Sequence, residues 1–131
     1  MKTSRVAGPT RRVGSGDGSE AVDSLTTGRG IFAEIHGDRA AATKACFLQG
    51  VGADCTNNVF VLRALKARFE GRGLSLCVVA IDNLGIGRSA APVDGKAYGI
   101  RRMCRDVDDV LELSSVMRFE KSLSLKYRMR P

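Results

Sequence analysis

The segment from Leu74 to Ile81 (Leu-Ser-Leu-Cys-Val-Val-Ala-Ile) constrains this chain more than any other part of it. It is nearly continuously apolar. A strand of that kind has to be covered on both faces, which is the usual condition of a strand inside a parallel sheet. Gly71-Arg72-Gly73 breaks the chain before it, and Asp82-Asn83-Leu84-Gly85-Ile86-Gly87-Arg88-Ser89 follows it as a loop. Pro92 and the Asp94-Gly95 turn extend that loop.

The rest of the pattern supplies the cover. Val61, Leu62, Leu65 and Phe69 fall at helical spacing over 59–69, with Asn57 or Asn58 placed to cap. Ile100, Met103, Val107, Val110 and Leu111 form the apolar stripe of a second helix over about 100–113, and Arg101, Arg105, Asp106, Asp108 and Asp109 lie largely off it. Ile31–Ile35 is a short strand followed by a His36-Gly37-Asp38 turn, and Ala45–Leu48 is a second strand ended by Gln49-Gly50-Val51-Gly52. The order strand, strand, helix, strand, helix argues for an α/β layer with parallel strands.

With 131 residues the chain has room for one domain, and the absence of Trp leaves a mostly aliphatic core. Residues 1–29, rich in Gly, Ser, Thr and Arg, read as an unstructured tail. Residues 1–16 are basic and free of acids, as in organelle transit peptides, but Gly8, Pro9 and Gly14 interrupt any amphipathic helix. The expectation is a cytoplasmic protein, with mitochondrial or plastid delivery as the alternative. No segment is long and apolar enough to span a membrane.

The formal net charge of +7 sits largely at the two ends, with no aromatic interleaving, which argues against specific nucleic-acid binding. Cys46, Cys55, Cys77 and Cys104 contain no Cys-x-x-Cys pair, and His36 is the single histidine. These spacings predict reduced core thiols, no metal site and no cofactor. Gly85-Ile86-Gly87 lacks the third glycine of a dinucleotide loop, and Pro92 keeps a helix from starting at once.

Two segments together resemble the start of the α/β-hydrolase superfamily. Cys46-Phe47-Leu48-Gln49-Gly50-Val51-Gly52-Ala53-Asp54 is similar to the family's strand-loop with a His-Gly pair, Gln49 standing where the family has His. Val78 to Pro92 is similar to the family's Asp-x-Arg-Gly-x-Gly-x-Ser-x-x-Pro pattern, the more specific of the two. Arg102 to Leu111 resembles the helix that leads toward the family's nucleophile strand. The resemblance implies an incomplete α/β-hydrolase-type sheet over 30–113, with three or four mostly parallel strands and two helices. It implies a small-molecule carbonyl substrate and nucleophilic hydrolysis of esters or amides. By position, the Val51 backbone N–H is the carried-over oxyanion donor, in a loop with Gln49, Gly50 and Gly52. Asp82, Gly85, Gly87, Arg88 and Ser89 form the second motif, whose role is architectural.

The family's chemistry needs a Gly-x-Ser-x-Gly elbow, then an acid, then a His. The sequence contains no Gly-x-Ser-x-Gly. Ser89 and Ser75 are decoys: Ala-Ala-Pro follows the first, and the second opens a strand. His36 precedes the oxyanion loop and is expected in an early hairpin turn, so Cys–His chemistry with Cys46 or Cys55 has no support. From residue 114 the family pattern is lost, and 114–131 reads as a divergent basic tail, alternating from Leu123 to Met129. The expectation is therefore a truncated family member, inactive alone. The alternative is a non-catalytic protein that binds a partner chain or an acidic ligand through its basic termini. A half-sheet also exposes an edge open to self-association.

Overall fold

The protein is described by a computed structural model, which covers residues 22–50 and 52–116. The elements in chain order are β1 (Asp23–Thr26), β2 (Phe32–His36), β3 (Thr43–Leu48), α1 (Val59–Glu70), β4 (Leu76–Ile81), a single 3₁₀ turn (Gly95–Tyr98) and α2 (Ile100–Ser114). The strands form one sheet in the order β1-β2-β4-β3.

The apolar run lies inside this sheet, and every residue of β4 is buried. Alternation along β4 sorts the core into two layers. Leu76, Val78 and Ala80 face α1, together with Leu62 and the partly buried Ala45, Phe47, Leu65 and Phe69. Cys77, Val79 and Ile81 face the other way, with Ala33, Ile35, Val110 and Leu111. Burying an aliphatic side chain of this size contributes about 1.5–3 kcal/mol. The two helices thus cover opposite faces of one strand, as a run apolar on both sides requires. The strand starts at Leu76 instead of Leu74, because the Leu74 N–H donates back to the Phe69 carbonyl at the end of α1.

The expected count of strands and helices is present, but the expected direction needs correction. Only β3 and β4 run parallel, while β1–β2 and β2–β4 are antiparallel. The parallel pair is the one joined by a helical crossover; β1 and β2 are joined by a tight turn, which can link only antiparallel neighbours. In that turn the Gly30 N–H donates to Thr27 O at 2.8 Å and Thr27 N–H to Ile31 O at 2.9 Å.

A second correction concerns the tail. Residues 22–29, read as part of an unstructured stretch, carry β1, whose Leu25 is buried. One apolar side chain among polar neighbours gave too little alternation to reveal it. The targeting reading of 1–16 and most of the 114–131 tail lie outside the described residues. Ser114 ends α2, and Val116 is buried just beyond it.

The helical stripes hold with three exceptions. Val61 and Ile100 are exposed, and Asp106, expected off the stripe of α2, is buried. Arg29 in the β1–β2 turn reaches Asp106 at 2.7 Å. Burial pushes the Asp106 carboxyl above its usual range, and the Arg29 guanidinium opposes the shift. His36 is not in a hairpin turn. It is the last residue of β2, and its register partner is Val78.

Candidate functional site

The C-terminal ends of β3 and β4 lie side by side, Leu48 opposite Ile81. The loops leaving them are the two motif segments, so the fold brings together Gln49–Asp54 and Asp82–Pro92.

Asp82 joins them. It is fully buried, and its Oδ1 accepts the Cys55 N–H at 2.7 Å. Its Oδ2 accepts the Arg88 N–H at 3.0 Å. A buried carboxylate is tolerable where such donors satisfy it. Gly87 makes the approach feasible: its φ is +55°, and a Cβ there would stand 2.4 Å from Asp82 Oδ2. Gly85, at φ +83°, leaves room for the Tyr98 ring, which a Cβ would meet at 2.8 Å.

The Arg88 side chain leaves the loop. Its guanidinium lies over the Phe32 ring, 3.9 Å from the centroid, and donates to Glu34. The bracing of Asp82 therefore comes from the Arg88 backbone; the side chain's Nε stands 4.0 Å away.

Gln49 is buried. Its Oε1 accepts from Asn58 Nδ2, and its carbonyl accepts from Asn83 Nδ2 at 2.9 Å. Asn58 thus occupies the N-cap position of α1 without capping it by a side-chain hydrogen bond. Gln49 Nε2 has no hydrogen-bond partner among the described residues. Gly50 and Gly52 each have open space where a Cβ would stand, and Gly52 takes φ +79°. Val51, the oxyanion-donor candidate, lies outside the described residues.

The two decoy serines are held by the framework. Ser89 is buried; its Oγ donates to the Asp82 carbonyl at 2.6 Å and accepts the Phe32 N–H at 2.8 Å. Ser75 Oγ accepts the Ala42 N–H at 3.2 Å, near the opposite end of β4. His36 is the last residue of β2, opposite Val78, with Nε2 3.0 Å from Glu34 Oε2, and the other oxygen of Glu34 accepts from Arg88 of the second loop. Burial and the neighbouring Asp82 push the Cys55 thiol far up, which keeps it protonated and unreactive. Burial likewise raises Cys46 and Cys77. All four cysteines are free, and Cys104 is exposed. Among the described residues no group of three His, Cys, Asp or Glu side chains could hold a metal ion.

Sequence reasoning gave no site role to Glu34 or Asn83, and it read Asn58 as a candidate helix cap and Cys55 as a core thiol. Glu34 had one faint signal, an acid two residues before the only histidine on an alternating strand. Its contact with His36 holds its carboxyl below the usual 4.5, with help from Arg88, although burial opposes this. A depressed carboxylate stabilises the fold above its unfolded value, and that contribution is lost as pH falls through the folded value. Glu34→Gln is expected to cost about 1 kcal/mol at neutral pH. The gap between parent and variant should close below pH 4.5, measured by urea unfolding across pH 3–7. A gap constant over that range would show that the charge contributes nothing.

No protein-family model matches the chain, and no curated protein matches it. Solved structures do. A haloalkane dehalogenase from Paraglaciecola agarilytica superposes with a TM-score of 0.51 at 20% identity, over 81% of this chain and 31% of that one. The thioesterase domain of the curacin biosynthetic pathway gives 0.51 at 17% identity, over 84% and 33%. A proline iminopeptidase-related protein from Thermus thermophilus gives 0.52 at 19% identity, over 89% and 35%. All three are α/β-hydrolase-fold proteins. The described residues are thus part of an α/β-hydrolase fold, and the chain spans about a third of the length of these structures.

Proposed function

We propose that this chain carries the oxyanion-loop part of a hydrolase acting on a small carbonyl substrate, an ester or amide, and has no triad turnover as it stands. The observation that carries this reading is the carboxylate of Asp82, which ties the loop after β3 to the loop after β4. It holds a glycine-rich turn, Gly50 to Gly52, at the C-terminal edge of the sheet, where ligands of open α/β sheets bind. Two of the structural neighbours are named for carbonyl chemistry, a thioesterase and an iminopeptidase-related protein.

The Val51 N–H would be the donor to the carbonyl oxygen. Among the described residues no free nucleophile accompanies it. Ser89 spends its hydroxyl on two backbone partners, and the His36 ring is engaged by the carboxylate of Glu34. The alternative, a binding protein acting through basic termini, draws on residues 1–21 and 117–131, which lie outside the described residues.

One experiment on the full chain tests both halves of the proposal. A fluorophosphonate probe with adduct mapping should label no serine, and a label on Ser89 would overturn the reading of inactivity. In the same sample, titration with butyrate should shift the Val51 amide resonance ahead of all others. An unmoved Val51 amide would remove the oxyanion donor.

A further inference from the structure

The connection between the second loop and α2 is built as a fixed projection with an apolar tip. Val93 is fully exposed, and Ile100 and Tyr98 are 74% and 37% exposed. The segment that carries them is held in place. Ala97 is buried beneath it. Tyr98 donates its hydroxyl to the Pro92 carbonyl at 2.8 Å, and its ring covers Gly85. The Asp94 carboxylate accepts the Lys96 N–H at 3.0 Å. The Gly99 carbonyl accepts the Arg102 N–H at 2.8 Å, which starts α2. A braced loop that keeps a valine and an isoleucine in water gains nothing from them within the fold, and clustered exposure of this kind marks an interaction surface.

Charge around the tip is one-sided. Lys96, Arg101, Arg102 and Arg105 are exposed, against a single exposed acid, Asp94, between residues 93 and 105. Further along α2 the sign reverses, with Asp108, Asp109 and Glu112. A helix is stabilised by acids in its first turn and bases in its last, so this order works against α2. Arg101 and Arg105, four residues apart on the same helix, also repel each other. Lys96, Arg101 and Arg105 form no ion pair among the described residues. Neither helix stability nor internal pairing accounts for the cluster, which leaves an anionic partner.

An apolar tip ringed by basic residues fits a surface that is negatively charged outside and apolar just below. Anionic phospholipid headgroups attract exposed Lys and Arg, and the acyl boundary takes up exposed aliphatic side chains. A nucleic acid would use the arginines but leave Val93 and Ile100 in water. We propose that the 93–105 projection is a membrane-docking element, which seats Val93 and Ile100 in the interface of an anionic phospholipid bilayer and sets the basic residues around them against the headgroups. α2 starts at the C-terminal end of β4, where Met103 packs near Ile81 and Leu84. The docked edge is therefore the one from which the two motif loops leave. The inference does not depend on the hydrolase reading.

Fluorescence in the full-length chain tests this. Cys104→Ser removes the exposed native thiol. In that background Val93→Cys, Ile100→Cys or Leu74→Cys carries an environment-sensitive nitrobenzoxadiazole label. Leu74 is the control, since it is 50% exposed but precedes the start of β4, at the opposite end of the sheet. Vesicles are phosphatidylcholine, alone or mixed equally with phosphatidylglycerol. The labels at 93 and 100 should shift to the blue on the mixed vesicles only, and the label at 74 should not move. No shift at 93 and 100, an equal shift at 74, or the same shift on phosphatidylcholine alone would overturn the proposal. The basic termini also attract such vesicles, so co-sedimentation of unlabelled Val93→Ser/Ile100→Ser decides which part binds. This variant keeps every charge, and its thermal melt should match the parent's because both residues are exposed. It should bind the mixed vesicles at least about tenfold more weakly. Unchanged affinity would mean that charge alone binds, as it would any polyanion, and would overturn the proposal.

Discussion

Asp82→Ala is expected to cost about 3–5 kcal/mol, the largest loss of any single substitution outside the apolar core. The side chain is fully buried and satisfies two backbone N–H groups from two different loops. Alanine would take the acceptor away from both buried N–H groups. A loss of that size is comparable with the whole stability of a small domain. Asp82→Asn separates charge from shape. One amide oxygen can still accept from a single N–H, but its NH2 group then faces the other donor. The expected cost is about 1–3 kcal/mol. Urea unfolding measures both, and Cys55 offers a local readout. Its thiol is buried beside Asp82, so alanine should expose it to a thiol reagent well before global unfolding. An Asp82→Ala variant within 1 kcal/mol of the parent would show that the loops do not depend on this carboxylate.

Gly37→Ala is expected to cost about 2–4 kcal/mol. Gly37 follows β2 with φ +92°, and a Cβ there would lie 2.3 Å from the Leu76 carbonyl oxygen. The obstacle is backbone at the start of β4, so relief requires moving the central strand or breaking the pairing of His36 with Val78. Gly50→Ala is the matched control. Gly50 has no neighbour within 4 Å of the Cβ position and no positive φ, so alanine there should change stability by less than about 1 kcal/mol in either direction. Thermal melts of the two variants should therefore separate clearly, and equal melting temperatures would refute the steric account.

The sheet was legible because its central strand announces itself. A run apolar on both faces demands two covering layers, and the two helical stripes supply them at the right places. Strand direction was less legible. Alternation and apolar runs say that a strand forms, but the partner is chosen by the connection, and the tight turn at 27–30 was hidden in a glycine- and serine-rich stretch. β1 escaped for the same reason, since only Leu25 faces the core. In the site, the positions of Asp82, Gly85 and Gly87 followed from the spacing of the second motif. Their partners did not. Asp82 holds Cys55 and Arg88 through backbone N–H groups, which every residue type carries and no sequence pattern marks. Arg88 illustrates the other limit. Its reach over Phe32 to Glu34 depends on the antiparallel placement of β2 beside β4, which local spacing cannot reveal.

The strand order carries a consequence for the chain as it is made. β2 and β3 are both complete by residue 48, but neither touches the other; each waits for β4, which ends at residue 81. Until then only the β1–β2 hairpin can close locally, and a lone hairpin is marginal in water. A growing chain must therefore carry Ala33, Ile35, Phe47 and the apolar face of α1 unburied while the central strand is synthesised and clears the ribosome. At about 5–20 residues per second that interval lasts seconds. The late arrival of β4 makes assembly of this sheet an all-at-once event, and it concentrates the risk of misassociation in the nascent chain.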